Sequence, residues 1–243
     1  MSRYPIMLVM LTTGWLLSGV AFAQEQGSQT ANRFWTVKAE ELEYRYSGDD
    51  QELAAWNTDV YYGTDELKLR WLSKGGYSLD EDTFEQLQNQ LVLQTPISDF
   101  FDAKAGVRVD TPAGPDRTYG VIGIAGLAPY WFEIDANLYV SDQGSASTEL
   151  DAKYELLVTN RLILTLGLDA IIAFSEDREI GVGQGLASTE LGARLSYDVI
   201  DRAFSPYIGV VYESKYGDTR DFAKADNVST EDWFAVIGAK LSF

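Results

Sequence analysis

The carboxy-terminal stretch of the chain alternates between two kinds of side chain with a period of two. One set of positions is Trp233, Ala235, Ile237, Ala239, Leu241 and Phe243, and the intervening set is Phe234, Val236, Gly238, Lys240 and Ser242. Successive side chains of a strand point to opposite faces, so the first set can face lipid and the second a lumen. A last strand of this kind, ending on an aromatic residue, is typical of β-barrels in bacterial outer membranes, where it closes the barrel.

The same alternation recurs through most of the chain. Between Phe132 and Ser141, for example, apolar residues alternate with Glu133, Asp135 and Asn137. A period of two predicts strands rather than helices, and segments of about ten residues suit tilted membrane strands. The least regular strand is the first, because its alternation slips between Lys38 and Glu43. The predicted strands are 34–46, 52–62, 65–73, 84–95, 99–110, 117–127, 131–141, 146–158, 161–174, 187–200, 204–216 and 232–243.

Connections between these strands fall into two sets. Every second connection is short, near residues 63–64, 96–98, 128–130, 159–160 and 201–203. The other set contains the three longest predicted loops, 74–83, 175–186 and 217–231. Short periplasmic turns and longer outer loops are characteristic of transmembrane barrels. The sequence therefore predicts an all-β fold, an antiparallel transmembrane up-and-down β-barrel of about 12 strands that spans residues 34–243.

Aromatic residues concentrate toward the ends of the predicted strands. Such a distribution indicates two girdles at the membrane interfaces. The predicted girdle residues are Trp56, Tyr62, Trp71, Tyr130, Trp131, Phe174, Phe204, Tyr207, Tyr216, Trp233 and Phe243.

The amino terminus has the features of a secretory signal peptide. Arg3 precedes an apolar stretch from Ile6 to Val20, and Ala21-Phe22-Ala23 supplies a cleavage site with small residues. We therefore predict a signal peptide at residues 1–23 and a short periplasmic segment at 24–33. Export followed by insertion of a barrel places the mature protein in the outer membrane of a Gram-negative cell.

Composition excludes several kinds of chemistry. The chain has no His and no Cys, and its three Met, at positions 1, 7 and 10, lie in the predicted signal peptide. Ser-His and Cys-His nucleophiles are therefore absent, and we expect no enzyme activity. Metal sites built from nitrogen or sulfur side chains are excluded as well. A net charge of −18 argues against nucleic acid or anionic lipid as a partner. The expected partners are outer-membrane lipid around the barrel and lipopolysaccharide, which acidic loops could meet through bridging divalent cations.

The polar faces of the predicted strands carry both signs of charge and form the candidate cation path of the lumen. The candidates are Glu133, Asp135, Glu149, Asp151, Glu155 and Glu190, with Arg108, Arg161 and Arg194 as balancing charges. Two interpretations stay open, a narrow wet channel or a lumen plugged by salt bridges. A separate acidic run, Asp80-Glu81-Asp82, is a weak candidate for a hard cation held by carboxylates.

Several runs in the last 140 or so residues are similar to a known family. They are Ala105–Arg108, Gly123–Glu133, Tyr139–Ser141, Glu155–Leu164, Glu190–Asp198 and Phe204–Val210. In this order and spacing they resemble the copper resistance protein B family of outer-membrane proteins. The resemblance implies a barrel in copper homeostasis or resistance, by export or sequestration, with copper ion as its ligand.

This chain departs from the family in the segment that precedes the barrel. The family usually carries Met and His there, whereas residues 24–33 contain neither. Copper binding is therefore expected to be weak or lost, since soft Cu(I) prefers thiolate and thioether ligands. A periplasmic copper-binding partner could supply them. The alternative function is a structural barrel, or a general one for small solutes and cations, without a role in copper handling.

Overall fold

Each strand of the barrel pairs antiparallel with its neighbours in the sequence, and the first strand pairs with the last. The computed structural model describes residues 33–48, 51–111 and 115–243. The predicted signal peptide and residues 24–32 lie outside this described part. Within it, the sheet forms a closed barrel of twelve strands, which confirms the predicted fold class. Closure leaves the sheet with no edge strand.

The strand bounds agree with the predicted segments to within a few residues, apart from β3. They are β1 (Phe34–Ser47), β2 (Glu52–Gly63), β3 (Lys68–Ser78), β4 (Thr83–Pro96), β5 (Phe101–Thr111), β6 (Arg117–Ala128), β7 (Phe132–Ser141), β8 (Ala146–Leu157), β9 (Leu162–Ala173), β10 (Gly185–Tyr197), β11 (Phe204–Lys215) and β12 (Glu231–Ser242). A helix, α1 (Gly217–Ala225), lies between β11 and β12, and 3-10 turns form at Pro129–Trp131 and Arg178–Ile180.

The two faces of the wall follow the alternation of the sequence. In β12, Trp233 and Ile237 are 64% and 60% exposed on the outer face, whereas Phe234 and Val236 are buried inside. Charged side chains such as Arg70, on β3, are likewise buried inside the barrel. The barrel thus has an apolar outer wall and a largely polar lumen, the arrangement that a membrane-spanning barrel requires.

A β-bulge in β1 explains why its sequence pattern slips. The register of β1 against both β2 and β12 shifts just after Ala39. Glu40 lines an internal cavity, and Glu41 and Glu43 on the far side of the bulge are also buried. One extra residue in one strand exchanges the faces on which its side chains lie. The predicted slip between Lys38 and Glu43 is therefore confirmed.

The barrel has a turn end and a loop end. At the turn end the strands are joined by residues 64–67, 97–100, 129–131, 158–161 and 198–203, all short as predicted. The longest connections, 174–184 and 216–230, lie at the opposite, loop end. The long loop predicted at 74–83 is wrong, because β3 continues to Ser78 and leaves only the turn 79–82. Gly75 and Gly76 interrupt the alternation there without ending the strand.

The β9–β10 loop and α1 pack directly against each other at the loop end. The backbone N–H of Gly183 donates to Thr219 Oγ1 at 2.8 Å. A Cβ at Gly183 would lie 2.4 Å from that of Asp218, so this contact requires glycine. The Arg178 guanidinium lies 5.3 Å from the centre of the Phe222 ring. Among residues 33–48, 51–111 and 115–243, no helix has the length and apolarity needed to cross a membrane.

One residue of the predicted aromatic girdles lies inside the barrel. Tyr207 is 3% exposed, and it packs in an inner apolar cluster with Leu53, Val211, Phe234 and Val236. Its assignment to a membrane interface was wrong. The reason is that β11 carries large apolar side chains on both faces, so composition alone does not distinguish its inner face from its outer one.

The outer face can be tested with a charge. We expect Ile237→Arg to lower the free energy of unfolding by about 2–4 kcal/mol, because its side chain projects from the middle of β12 into lipid. Val228→Arg, in the loop after α1, is the matched control, and we expect a change within about 0.5 kcal/mol. Equilibrium unfolding of the refolded barrel in lipid vesicles measures both. Equal effects of the two variants would contradict the lipid-facing assignment.

Candidate functional site in the barrel lumen

Glu43 lies at the centre of a buried network of ion pairs. Arg194, on β10, donates from Nε and Nη2 to the two oxygens of Glu43, at 2.9 Å each. Arg45 Nε donates to the same carboxylate at 2.7 Å, and the Tyr207 hydroxyl donates at 2.8 Å. The Glu43 side chain has no exposed surface. Charge-assisted and bidentate bonds of this kind fix both geometry and register, so the network ties β1 to β10 and β11.

Arg45 extends this network toward the loop end. Its Nη1 donates to Glu213 at 2.7 Å and to Glu190 at 3.1 Å. Glu190 also lies 3.7 Å from Arg194. Arg45 therefore balances carboxylates from three strands, β1, β10 and β11. Burial of several carboxylates in one place is tolerated because each lies beside a guanidinium.

A second network surrounds Asp135 on β7. Arg70 Nη1 donates to one Asp135 oxygen at 2.9 Å, and the other oxygen accepts from Lys104 Nζ and from Asn137 at 2.7 Å. Arg70 also binds Asp59, with its Nη2 at 2.6 Å from Oδ2. Side chains from β2, β3, β5 and β7 thus meet at one point inside the barrel.

A third network crosses the middle of the lumen. Arg108 donates to Glu149 at 2.7 Å and to Asp110 at 2.7 Å, and its guanidinium lies 4.5 Å from the centre of the Tyr139 ring. Lys74 approaches the same Glu149, with 3.9 Å between Nζ and Oε1, and forms a close ion pair with Asp169.

Residues in the described part of the chain line two cavities in the lumen. The turn-end cavity has a volume of about 520 Å³, and the loop-end cavity has a volume of about 230 Å³. Both walls carry more carboxylates than basic side chains. The turn-end wall includes Glu40, Asp59, Asp135, Asp151, Arg70 and Lys153. The loop-end wall includes Glu41, Arg45, Glu85, Glu190, Glu213 and Asp232. Lys74 and Glu149 line both cavities and so lie between them.

The structure brings most of the predicted path residues to these cavities. Glu133, Asp135, Glu149, Asp151 and Arg108 line the turn-end cavity. Glu190 lines the loop-end cavity, and Arg194 lies beside it in the Glu43 network.

Two predicted path residues lie elsewhere. Glu155 pairs with Lys240 at 3.4 Å and with Arg202 at 3.6 Å, and it lines neither cavity. Arg161 is exposed in the turn between β8 and β9. Its hydrogen bond with Tyr197 raises the pKa of the Arg161 guanidinium above the ordinary value. The structure therefore does not bring Arg161 together with the lumen carboxylates.

Sequence reasoning missed several charges of the lumen. Glu43 and Arg45 were hidden by the bulge in β1, and Lys74 was assigned to a loop because it precedes two glycines. An alternation restarted at Glu41 would have found the first two. The partner of Lys74 has no local signal, because Asp169 is 95 residues away.

The acidic run at residues 80–82 forms a tight turn between β3 and β4. Asp80 accepts a hydrogen bond from the Glu52 backbone N–H at 2.7 Å, and Asp82 accepts one from the Tyr77 hydroxyl. These carboxylates thus stabilise the turn. In the described part of the chain, no group of three or more acidic residues is arranged to hold a metal ion.

A closed antiparallel barrel with an apolar outer wall and a charged lumen is a transmembrane β-barrel. The solved structure of the NanC porin has the same kind of fold, with a TM-score of 0.52 at 14% identity. That match covers 86% of this chain and 99% of the porin chain.

The family is given by sequence comparison. The family model described as "Copper resistance protein B precursor (CopB)" matches residues 33–243, and this chain belongs to that family of the bacterial outer membrane. Copper resistance protein B of Escherichia coli is 34% identical over 86% of this chain and 69% of its own length. The homologue from Pseudomonas syringae pv. tomato is 31% identical, over 84% of this chain and 68% of its own length.

The Glu43 network can be tested by a double-mutant cycle. We expect Arg194→Met to lower the free energy of unfolding by about 3 kcal/mol, because it removes a bidentate partner from a buried carboxylate. Combining it with Glu43→Gln should give a coupling energy of about 1–3 kcal/mol. The control is Arg220→Met, which removes an exposed ion pair with Glu231 and should cost at most about 1 kcal/mol. Equal losses for Arg194→Met and Arg220→Met would contradict the structural role.

Proposed function

We propose that this barrel acts in copper homeostasis at the outer membrane, by export or sequestration of copper ions. The observation that carries the proposal is the family match over residues 33–243. The excess of carboxylates along both lumen cavities supports it, because a wall of negative charge raises the local concentration of cations.

The ligand inventory limits how the barrel can handle copper. Outside the predicted signal peptide the chain offers oxygen donors and amide groups, without imidazole, thiol or thioether side chains. Such donors suit hard cations and bind Cu(I) weakly. We therefore propose that the barrel lowers copper load without storing the ion tightly. A periplasmic partner with Met or His would supply the soft ligands and deliver copper to the turn end.

Contacts outside the lumen follow from the location of the barrel. Its apolar outer wall lies in outer-membrane lipid, and we propose that loop-end carboxylates such as Asp80 meet lipopolysaccharide through bridging divalent cations. The proposed role is non-enzymatic, in keeping with the absence of His and Cys from the sequence.

A structural or general cation barrel without a copper role is the second candidate. The observation that favours it is the ion pair of Lys74 with Asp169 and Glu149, which crosses the lumen between the two cavities. A lumen filled by such pairs can serve stability alone. The two candidates differ in whether loss of the protein changes copper tolerance.

The copper role is tested in cells. We expect deletion of the gene to lower the copper concentration that arrests growth, and the wild-type barrel to restore it, without a matching change for zinc. Glu133→Gln combined with Asp151→Asn should restore tolerance only partly, because both carboxylates line the turn-end cavity. Asp221→Asn, on the exposed side of α1, should restore it fully. Unchanged tolerance and unchanged periplasmic copper in the deletion strain would favour the barrel without a copper role.

Copper binding is tested on the refolded mature barrel by competition with Cu(I) and Cu(II) chelators. We expect a dissociation constant weaker than about 1 μM for Cu(I), since oxygen ligands match a soft ion poorly. Binding at micromolar concentration or tighter would show that carboxylates and carbonyls assemble a site. The Glu133, Asp135 and Asp151 variants would then locate it.

A further inference from the structure

The side chain of Lys74 reaches from one wall of the barrel to the opposite wall. Lys74 lies on β3, whereas its partners Glu149 and Asp169 lie on β8 and β9. In the closed order of strands, β3 and β9 are six positions apart, which is half the circumference. The Lys74 ammonium group therefore lies across the lumen rather than along its wall.

The position of this ammonium group coincides with the boundary between the two cavities. Lys74 and Glu149 line both cavities, whereas Asp169 lines only the loop-end one. An ion that moved along the lumen from one cavity to the other would pass beside these three side chains.

The carboxylate of Glu149 is held in place from the other side. Arg108 donates to it at 2.7 Å, and Arg108 itself is fixed by Asp110 and by the ring of Tyr139. The ammonium group of Lys74, by contrast, is at the end of a flexible side chain with four methylene groups. The backbone nearby has an irregularity in the β3–β4 register after Gly76. The Glu149 carboxylate is thus the fixed part of the boundary, and the Lys74 ammonium is the part that can move.

We propose that Lys74 is the gating residue of the lumen. Its ammonium acts as a tethered cation that occupies the place between Glu149 and Asp169 which a mobile cation would take. While Lys74 remains there, it neutralises charge on the two carboxylates and repels a second cation that would take the same place. Without its charge, the same carboxylates would form a cation-selective constriction. Gating by Lys74 does not require copper to be the transported ion, so it can be tested independently of the proposed copper role.

Single-channel recording in planar bilayers with KCl tests the gate. We expect low conductance for the wild-type barrel and an increase on the order of tenfold for Lys74→Gln, because the acidic lumen then attracts cations unopposed. The reversal potential in a KCl gradient should show preference for K⁺ over Cl⁻. Lys74→Arg keeps the charge and should remain at the wild-type conductance.

The matched control is Lys153→Gln. Lys153 is also a lumen lysine, and it reaches from β8 to Glu40 on β1 at 2.6 Å, but it lines the turn-end cavity alone. The same loss of charge at that position leaves the boundary intact, so we expect less than about a twofold change in conductance. An equal increase for Lys74→Gln and Lys153→Gln would overturn the proposal, since charge loss anywhere in the lumen would then suffice.

Lys74→Met is the substitute if Lys74→Gln does not refold. It removes the charge and keeps an unbranched side chain, and the conductance of whichever of the two variants inserts into the bilayer tests the gate. Adding Asp169→Asn to the conducting variant should reduce its preference for K⁺, because one of the two boundary carboxylates is lost. Equal conductance of the wild-type barrel and of the Lys74 variant that inserts would rule out gating by Lys74.

Discussion

In β1 and β12, Lys38 pairs with Ser242 and Ser47 pairs with Phe234, so the first and last strands satisfy each other's backbone hydrogen-bonding groups. Lipid offers no partner for an open edge, and every other property of the barrel depends on this closure. The bulge after Ala39 lies in this same pair of strands, and it brings Glu41, Glu43 and Arg45 onto the inner face. The strand that completes the barrel thus also supplies the centre of the charge network around Glu43.

The lumen is held together by charges rather than by a continuous apolar core. Buried ion pairs are costly to desolvate, and their net contribution to stability is small when compared with apolar side chains of equal volume. They are nonetheless directional. A bidentate contact such as that of Arg194 with Glu43 holds β10 at one height relative to β1, although these two strands do not pair. Polar networks also leave space between them, which is why two cavities of unequal size remain inside a twelve-stranded wall.

Much of this architecture is predictable from the amino-acid sequence. Alternation gave the number of strands, the inner and outer faces of β12 and the short turns at one end, because a period of two is a local property. Alternation gave the wrong strand end or the wrong face where the local sequence pattern does not match the path of the backbone. Gly75 and Gly76 resembled a loop although β3 continues through them, and Tyr207 resembled an interfacial residue although it is buried inside. Most of the predicted path residues line the two cavities, whereas Glu155 pairs with Lys240 outside them and Arg161 lies in the turn between β8 and β9. Their part in a cation path stays a prediction.

The sequence by itself determined the chemistry that is available. A chain without His or Cys, and with Met only in its predicted signal peptide, offers copper little beyond oxygen ligands in any fold. Only the tertiary structure decided which charges meet. Lys74 and Asp169 are 95 residues apart, and they form a pair because closure places β3 opposite β9 at the same height in the lumen. That height depends on the stagger of every strand between them, and no local pattern records it.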